Sequence, residues 1–113
     1  MSDDPAREAR ALADIGHMLR TADQIAARGP AAFADPDDEI PYLATKALLI
    51  DLQTAVESLS VEFRQAHPDV PWRELKRMRD RLSHHYVRID KSLLWNVLAR
   101  ELPRLRVTLL DEA

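Results

Sequence analysis

Leu12, Ile15, Leu19, Ala22 and Ile25 recur at steps of three or four residues, and the same spacing returns at Leu48, Leu52, Ala55, Leu59 and Phe63. A stripe with that period lies along one face of an α-helix and has to be buried against another element, which directs the chain to an all-α fold. Gly29-Pro30 closes the first stripe. The stretch "AAFADPDDEIPYL" combines two prolines with a cluster of acids and predicts a connection, with an N-cap at or near Asp38. A long second helix is expected from about Pro41 to Ala66, stopping at His67-Pro68 because the residue before proline avoids helical dihedrals. Pro71 suits the first turn of a third helix, patterned by Trp72, Leu75, Met78 or Arg79, and Leu82. Asp90 reads as the N-cap of a fourth, carrying Leu93, Leu94, Val97, Leu98 and Leu105, within which Pro103 predicts a kink or an early end. Residues 1–113 are therefore expected to form a single domain, a four-helix bundle with short connections.

Composition narrows the chemistry. With no cysteine, disulfides, thiolate catalysis and Cys-ligated zinc are excluded. The opening "MSDDPAREAR" is charged and no later run approaches 18 uninterrupted apolar residues, so a cytoplasmic location without membrane insertion is expected. A formal net charge of −3 argues against a generic polyanion binder, yet the charge is uneven. Residues 64–106 hold 11 basic against 5 acidic groups, and the rest of the chain holds 5 basic against 14 acidic. Only the C-terminal half could meet a polyanion.

That half contains "RMRDRLSHHYVRID", residues 77–90, where Arg79, Asp80, His84 and Tyr86 draw attention. At about 100° per residue, Arg79, Ser83 and Tyr86 fall near one line, while His84 lies roughly 140° from Arg79 on a regular helix. Three routes could bring the two together: loosening of the helix near Ser83, reach of the long arginine stem, or a dimer in which two copies of the segment meet. A dedicated metal site is disfavoured, since His84 and His85 project apart, no H-E-x-x-H is present, and His17 and His67 are remote in sequence. Ser83 beside His84 lacks a nucleophile elbow. Phosphodiester cleavage fits the residue types better. Arginine neutralises a phosphate bidentately, histidine exchanges a proton near neutral pH, and the 2′-OH of RNA supplies its own nucleophile. Asp80, at i−4 from His84, could orient the imidazole or form a surface pair with Arg77 or His84. On composition alone, the bland reading is a solvated arginine-rich face.

Arg79-Asp80-Arg81-Leu82-Ser83-His84-His85-Tyr86 resembles the R-x-x-x-x-H-x-Y signature of HepT-type toxins in the HEPN superfamily of ribonucleases. The flanks "SVEFRQAHPDVPWREL", "HHYVRID", "LLWNVLARELPRL" and "FADPDDEI" are similar too, in order, from about Leu12 to Leu110. The resemblance implies a four-to-five-helix HEPN-type bundle that forms a homodimer, with the motifs of both protomers lining a cleft. It implies a metal-independent endoribonuclease toxin of a type VII (HepT/MntA) system, acting on tRNA or mRNA without a cofactor. Its antitoxin would be a MntA-like minimal nucleotidyltransferase that transfers AMP from ATP to Tyr86, in an assembly that could extend to a larger hetero-oligomer. Arg79 would contact the scissile phosphate and His84 would be the acid or base, supported by Asp80. Lys76, Arg77 and Arg81 would position RNA. Two residues depart from the family's pattern. Asp80 stands where asparagine is common, and Leu52-Gln53-Thr54-Ala55 replace an I-G-E-A-like element, leaving Asp51 or Glu57 as acidic candidates to substitute. The alternative is a non-catalytic helical subunit that binds a nucleotidyltransferase or its nucleotide.

Overall fold

The computed structural model describes residues 5–84 and 89–111, and every regular element in them is helical. In chain order these are α1 (Pro5–Ala26), α2 (Pro30–Ala34), α3 (Ile40–Val56), α4 (Val61–Gln65), α5 (Trp72–Ser83) and α6 (Lys91–Asn96). A π-helical turn, Val97–Glu101, leads into α7 (Leu102–Arg106) and a second π-helical turn, Val107–Asp111. Helix α3 is central, with α1 on one side and α5 on the other, and the C-terminal helical stretch packs back on α1. Among the described residues no helix is long and apolar enough to cross a membrane.

The two apolar stripes are the core. Ile15, Leu19, Ala22 and Ile25 of α1 are buried against Leu48, Leu52, Ala55 and Leu59, while Leu94, Leu98, Leu102 and Leu105 close the bundle. Burial of each such leucine or isoleucine contributes about 1.5–3 kcal/mol relative to exposure, so the stripe pairing fixes the helix order. Gly29 takes φ 90°, a left-handed conformation suited to glycine, and redirects the chain after α1.

Three expectations need correction. The expected helix from Pro41 to Ala66 is two helices, interrupted at residues 57–60. Ser60 caps α4 by accepting from the Phe63 N–H, and its own N–H donates to Glu8 Oε1 of α1 at 2.8 Å. The interruption lets Leu59 turn inward, 2% exposed. The acidic connection contains the short helix α2, which buries Phe33 against Trp95, ring centroids 5.7 Å apart. The start of α3 is as expected: it begins after Glu39, next to Asp38, whose Oδ1 accepts from the Ile40 N–H. Pro103 does not end the last helix. The π-helical turn before it carries a Leu102 N–H to Val97 carbonyl bond, and such a wide turn can absorb the misfit that proline introduces in a regular ladder.

Asp90 does cap α6, accepting from the Ser92 N–H at 2.7 Å. Just before it, Ile89 is held at both backbone groups by the buried Tyr42 hydroxyl, which donates to the Ile89 carbonyl and accepts its N–H at 3.1 and 3.0 Å. Lys91 ties α6 to the acidic connection through the Asp35 carbonyl and the Glu39 carboxylate.

Candidate active site

Helix α5 is fixed at its start and loosened at its end. The Trp72 indole N–H donates to the carbonyls of Arg64 and His67, both at 3.1 Å, which anchors the first turn to α4. Glu74 lies in the first turn and Arg81 in the last, both favourable to the helix dipole. Leu82 is buried and Leu75 and Met78 are half-buried, leaving the other faces polar. At the far end the Ser83 hydroxyl donates to the Arg79 carbonyl at 2.9 Å, a local bond that competes with continuation of the helix. His84 is the C-cap. Its backbone is extended, φ −74° and ψ 141°, with its N–H on the Arg81 carbonyl, and its side chain is exposed. The helix has ended where His84 begins, so the backbone does not continue the regular turn that set His84 away from Arg79.

Arg79 is the half-buried member of the cluster, its side chain 21% exposed. Its Nη2 donates to Glu57 Oε2 at 3.1 Å and its Nε to Asp80 Oδ1 at 3.0 Å. Both bonds use the same side of the guanidinium. A guanidinium has five N–H donors in a fixed fork, so the opposite, terminal edge retains the bidentate geometry that matches a phosphate. The hydrogen bond that Arg79 donates to Asp80 raises the guanidinium's pKa above the ordinary value, against partial desolvation and with help from Glu57's charge. The Asp80 carboxyl is held below its usual range, first by the Arg79 bond and, against some desolvation, by Lys76.

Asp80 is differently engaged from the expected pairing with Arg77 or the His84 ring. Its Oδ1 takes Arg79, and its Oδ2 takes Lys76 Nζ at 3.5 Å, one turn earlier. The residue before it and the residue four before it claim the carboxylate, because long basic stems at those positions reach it without rearranging the helix. Arg77 and Arg81 are exposed on α5. His85 and Tyr86 lie outside the described residues.

Helix α3 adds what the motif alone did not locate. Glu57, its C-cap, meets Arg79; Asp51 and Glu57 are both exposed, so it is the contact and not burial that separates them. Gln53, one turn before Glu57 and 4% exposed, donates from Nε2 to Glu57 Oε2 at 3.4 Å, leaving its Oε1 buried with no partner among the described residues. Gln53 also borders an apolar groove of about 350 Å³ between α3, α5 and the C-terminal helices, walled by Leu49, Leu52, Leu75, Met78 and Leu93. The only sequence sign of the contact was an acid placed at the end of α3.

The family model described as "Ribonuclease HepT-like" matches residues 15–110. Among curated proteins, "Probable ribonuclease HepT" of Thermococcus cleftensis is 34% identical over 62% of this chain and 63% of that protein. "Putative RNase TTE0752" of Caldanaerobacter subterraneus subsp. tengcongensis is 41% identical over 45% of this chain and 46% of its own length. "Putative RNase MJ0127" of Methanocaldococcus jannaschii is 34% identical over 51% of this chain and 50% of its own length. The chain thus spans about half to somewhat under two thirds of these relatives. No solved structure matches.

Proposed function

The chain belongs to the HepT-like ribonuclease family, and from that premise we propose that it is a metal-independent endoribonuclease, the toxin of a two-component system. The observation that carries this reading is the state of Arg79. Its guanidinium is half-buried and fixed from one side by two carboxylates, with its terminal edge suited to a phosphate, five residues before an exposed histidine at the helix end.

In the proposed reaction Arg79 binds the scissile phosphate and stabilises the charge that develops on its oxygens. His84 takes the proton of the adjacent 2′-OH, whose oxygen forms a bond to phosphorus as the bond to the 5′-oxygen breaks. The products are a cyclic phosphate end and a 5′-hydroxyl, with a protonated histidine available to supply the leaving oxygen. Lys76, Arg77 and Arg81 hold the RNA backbone, and a second protomer completes the cleft. Regulation would come from a MntA-like nucleotidyltransferase that transfers AMP from ATP to the Tyr86 hydroxyl. An added nucleotide phosphate near the site would repel RNA and fill the cleft.

Purified protein should cut tRNA or mRNA in EDTA and leave cyclic phosphate ends, and His84→Ala should abolish cutting without lowering thermal stability. Undiminished cutting by that variant would remove His84 from the chemistry. Incubation with a MntA-like nucleotidyltransferase and ATP should add AMP at Tyr86 by mass mapping; a different modified residue would reject the regulatory part.

A further inference from the structure

A carboxylate at the C-terminal end of a helix is locally unfavourable, because it faces the negative end of the helix dipole. Glu57 occupies that place on α3, and its carboxylate also sits beside the arginine that would have to attract RNA. Two costs fall on one residue, which raises the question of what it supplies in return. Its surroundings suggest an answer. Glu57 Oε2 accepts from Arg79 Nη2 at 3.1 Å and from Gln53 Nε2 at 3.4 Å, so one oxygen joins a buried amide on α3 to the motif guanidinium on α5.

We infer that Gln53 and Glu57 are positioning residues for Arg79, a two-step brace that fixes the guanidinium plane and keeps its terminal edge turned to the phosphate; this rests on the ribonuclease reading above. The amide orientation of Gln53 follows from the bond itself, since only its nitrogen can donate to a carboxylate. Its oxygen is left buried and without a partner among the described residues, a cost of the kind that tends to mark a residue held for another purpose. Asp80 holds the same edge through Nε: it is on the same helix as Arg79 and can set the direction of Nε, but it cannot fix α5 against α3. Glu57 can, because α3 is the central element of the bundle. An arginine on a long flexible stem loses less freedom on meeting the transition state when its plane is already set.

The brace separates binding from turnover. Glu57 is a negative charge beside the phosphate site, so removing it should favour RNA binding in the ground state, while losing the fixed guanidinium should slow the chemical step. Glu57→Ala is expected to lower kcat about 10- to 100-fold with KM unchanged or reduced. Glu57→Gln, whose amide oxygen can still accept from Nη2, should recover most of the loss. Gln53→Met, which keeps the volume and deletes the donor, should give a smaller fall in kcat in the same direction.

Cleavage kinetics are read beside the ¹⁵N–¹H resonances of Arg79 Nη2, the nitrogen that Glu57 holds, at low temperature, and thermal unfolding in the same buffer. In the native protein the Nη2–H signals should be resolved and slow to exchange with water; in Glu57→Ala and Gln53→Met they should broaden or exchange faster. Should Glu57→Ala fail to fold, Glu57→Gln and Gln53→Met carry the comparison. A kcat held within about threefold in Glu57→Ala, or Arg79 Nη2–H signals identical in all variants, would overturn the brace. If the native protein cuts no RNA the ribonuclease reading fails instead, and the Nη2–H signals still decide whether Glu57 and Gln53 fix the arginine.

Discussion

Arg79 and Glu57, 22 residues apart in sequence, are joined at 3.1 Å between Nη2 and Oε2, and this bond couples the motif helix to the centre of the bundle. Lysine's three ammonium donors could touch both Glu57 and a phosphate, but they lack the planar fork that holds one edge on a carboxylate while presenting another bidentately. Arg79→Lys should therefore fold like the native chain yet lose about 10²- to 10³-fold in kcat, the scale of deleting one oriented donor to a developing oxyanion. Stability should change by less than about 1 kcal/mol, as for other partly exposed ion pairs. Initial cleavage rates and urea unfolding of the two proteins check both halves.

Acidification should act on the second carboxylate that holds the same guanidinium, Asp80. Asp80 titrates below the usual carboxylate range because Arg79 hydrogen-bonds its ionised form and Lys76 adds a second favourable charge. A depressed native pKa means that the pair supports the fold at pH values above the carboxyl's unfolded value. That support fades as pH falls from there through the lower native value. Between pH 6 and 8 no contribution from this pair should vary. A carboxyl-carbon NMR titration should place the Asp80 midpoint below the ordinary aspartate value. Arg79→Ala should move it back up, and an unmoved midpoint would show that the Arg79 bond does not cause the shift.

Asp80→Asn removes one negative charge from the face that RNA would approach. It also releases Lys76, now held at 3.5 Å. RNA should bind more tightly, and the slope of log K against log salt should steepen by about 0.7 for each further phosphate of a single strand that the protein neutralises. Fluorescence anisotropy with a non-cleavable 2′-O-methyl oligonucleotide, repeated across salt concentrations, measures this. An unchanged slope would mean that Lys76 reaches no phosphate once it is released.

The helix faces were legible because their apolar period is local: Ile15, Leu19, Leu48 and Leu52 announce their burial by spacing alone, and all are in the core. Asp90 was legible as a cap for the same reason. The break between α3 and α4 was not, since the stripe runs through it unaltered from Ala55 to Leu59 to Phe63. What stabilises the interruption is Glu8, 52 residues from the Ser60 N–H it accepts. The site divides similarly. The spacing from Arg79 to His84 lies within one segment, and the observed end of the helix at Ser83 was among the routes it left open. Glu57 was one of two acids that could have served α5. Choosing it over Asp51 depends on which face of α3 turns to Arg79, a tertiary fact that no local spacing encodes.

Tyr42 bears on the site from a distance. Its hydroxyl is buried at 1% residue exposure and closes on both backbone groups of Ile89, three positions after Tyr86. This bond pair fixes the point at which the chain re-enters the core after the motif, immediately before the Asp90 cap of α6. Tyr42→Phe keeps the ring and leaves the Ile89 N–H and carbonyl buried without that partner, which should destabilise the fold by about 1–3 kcal/mol. Because the loss is confined to one anchor, the rest of the core should remain in place. Amide exchange at Ile89 should accelerate more than exchange at Leu94 or Leu98, whose amides belong to the packed C-terminal helical stretch. Equal acceleration at all three would instead mean that the hydroxyl supports the bundle as a whole rather than the exit of the motif. The cleavage rate separates the same alternatives at a temperature where the variant is fully folded. A rate reduced there would tie the anchor to the placement of the His84 segment, and a native rate would confine Tyr42 to stability.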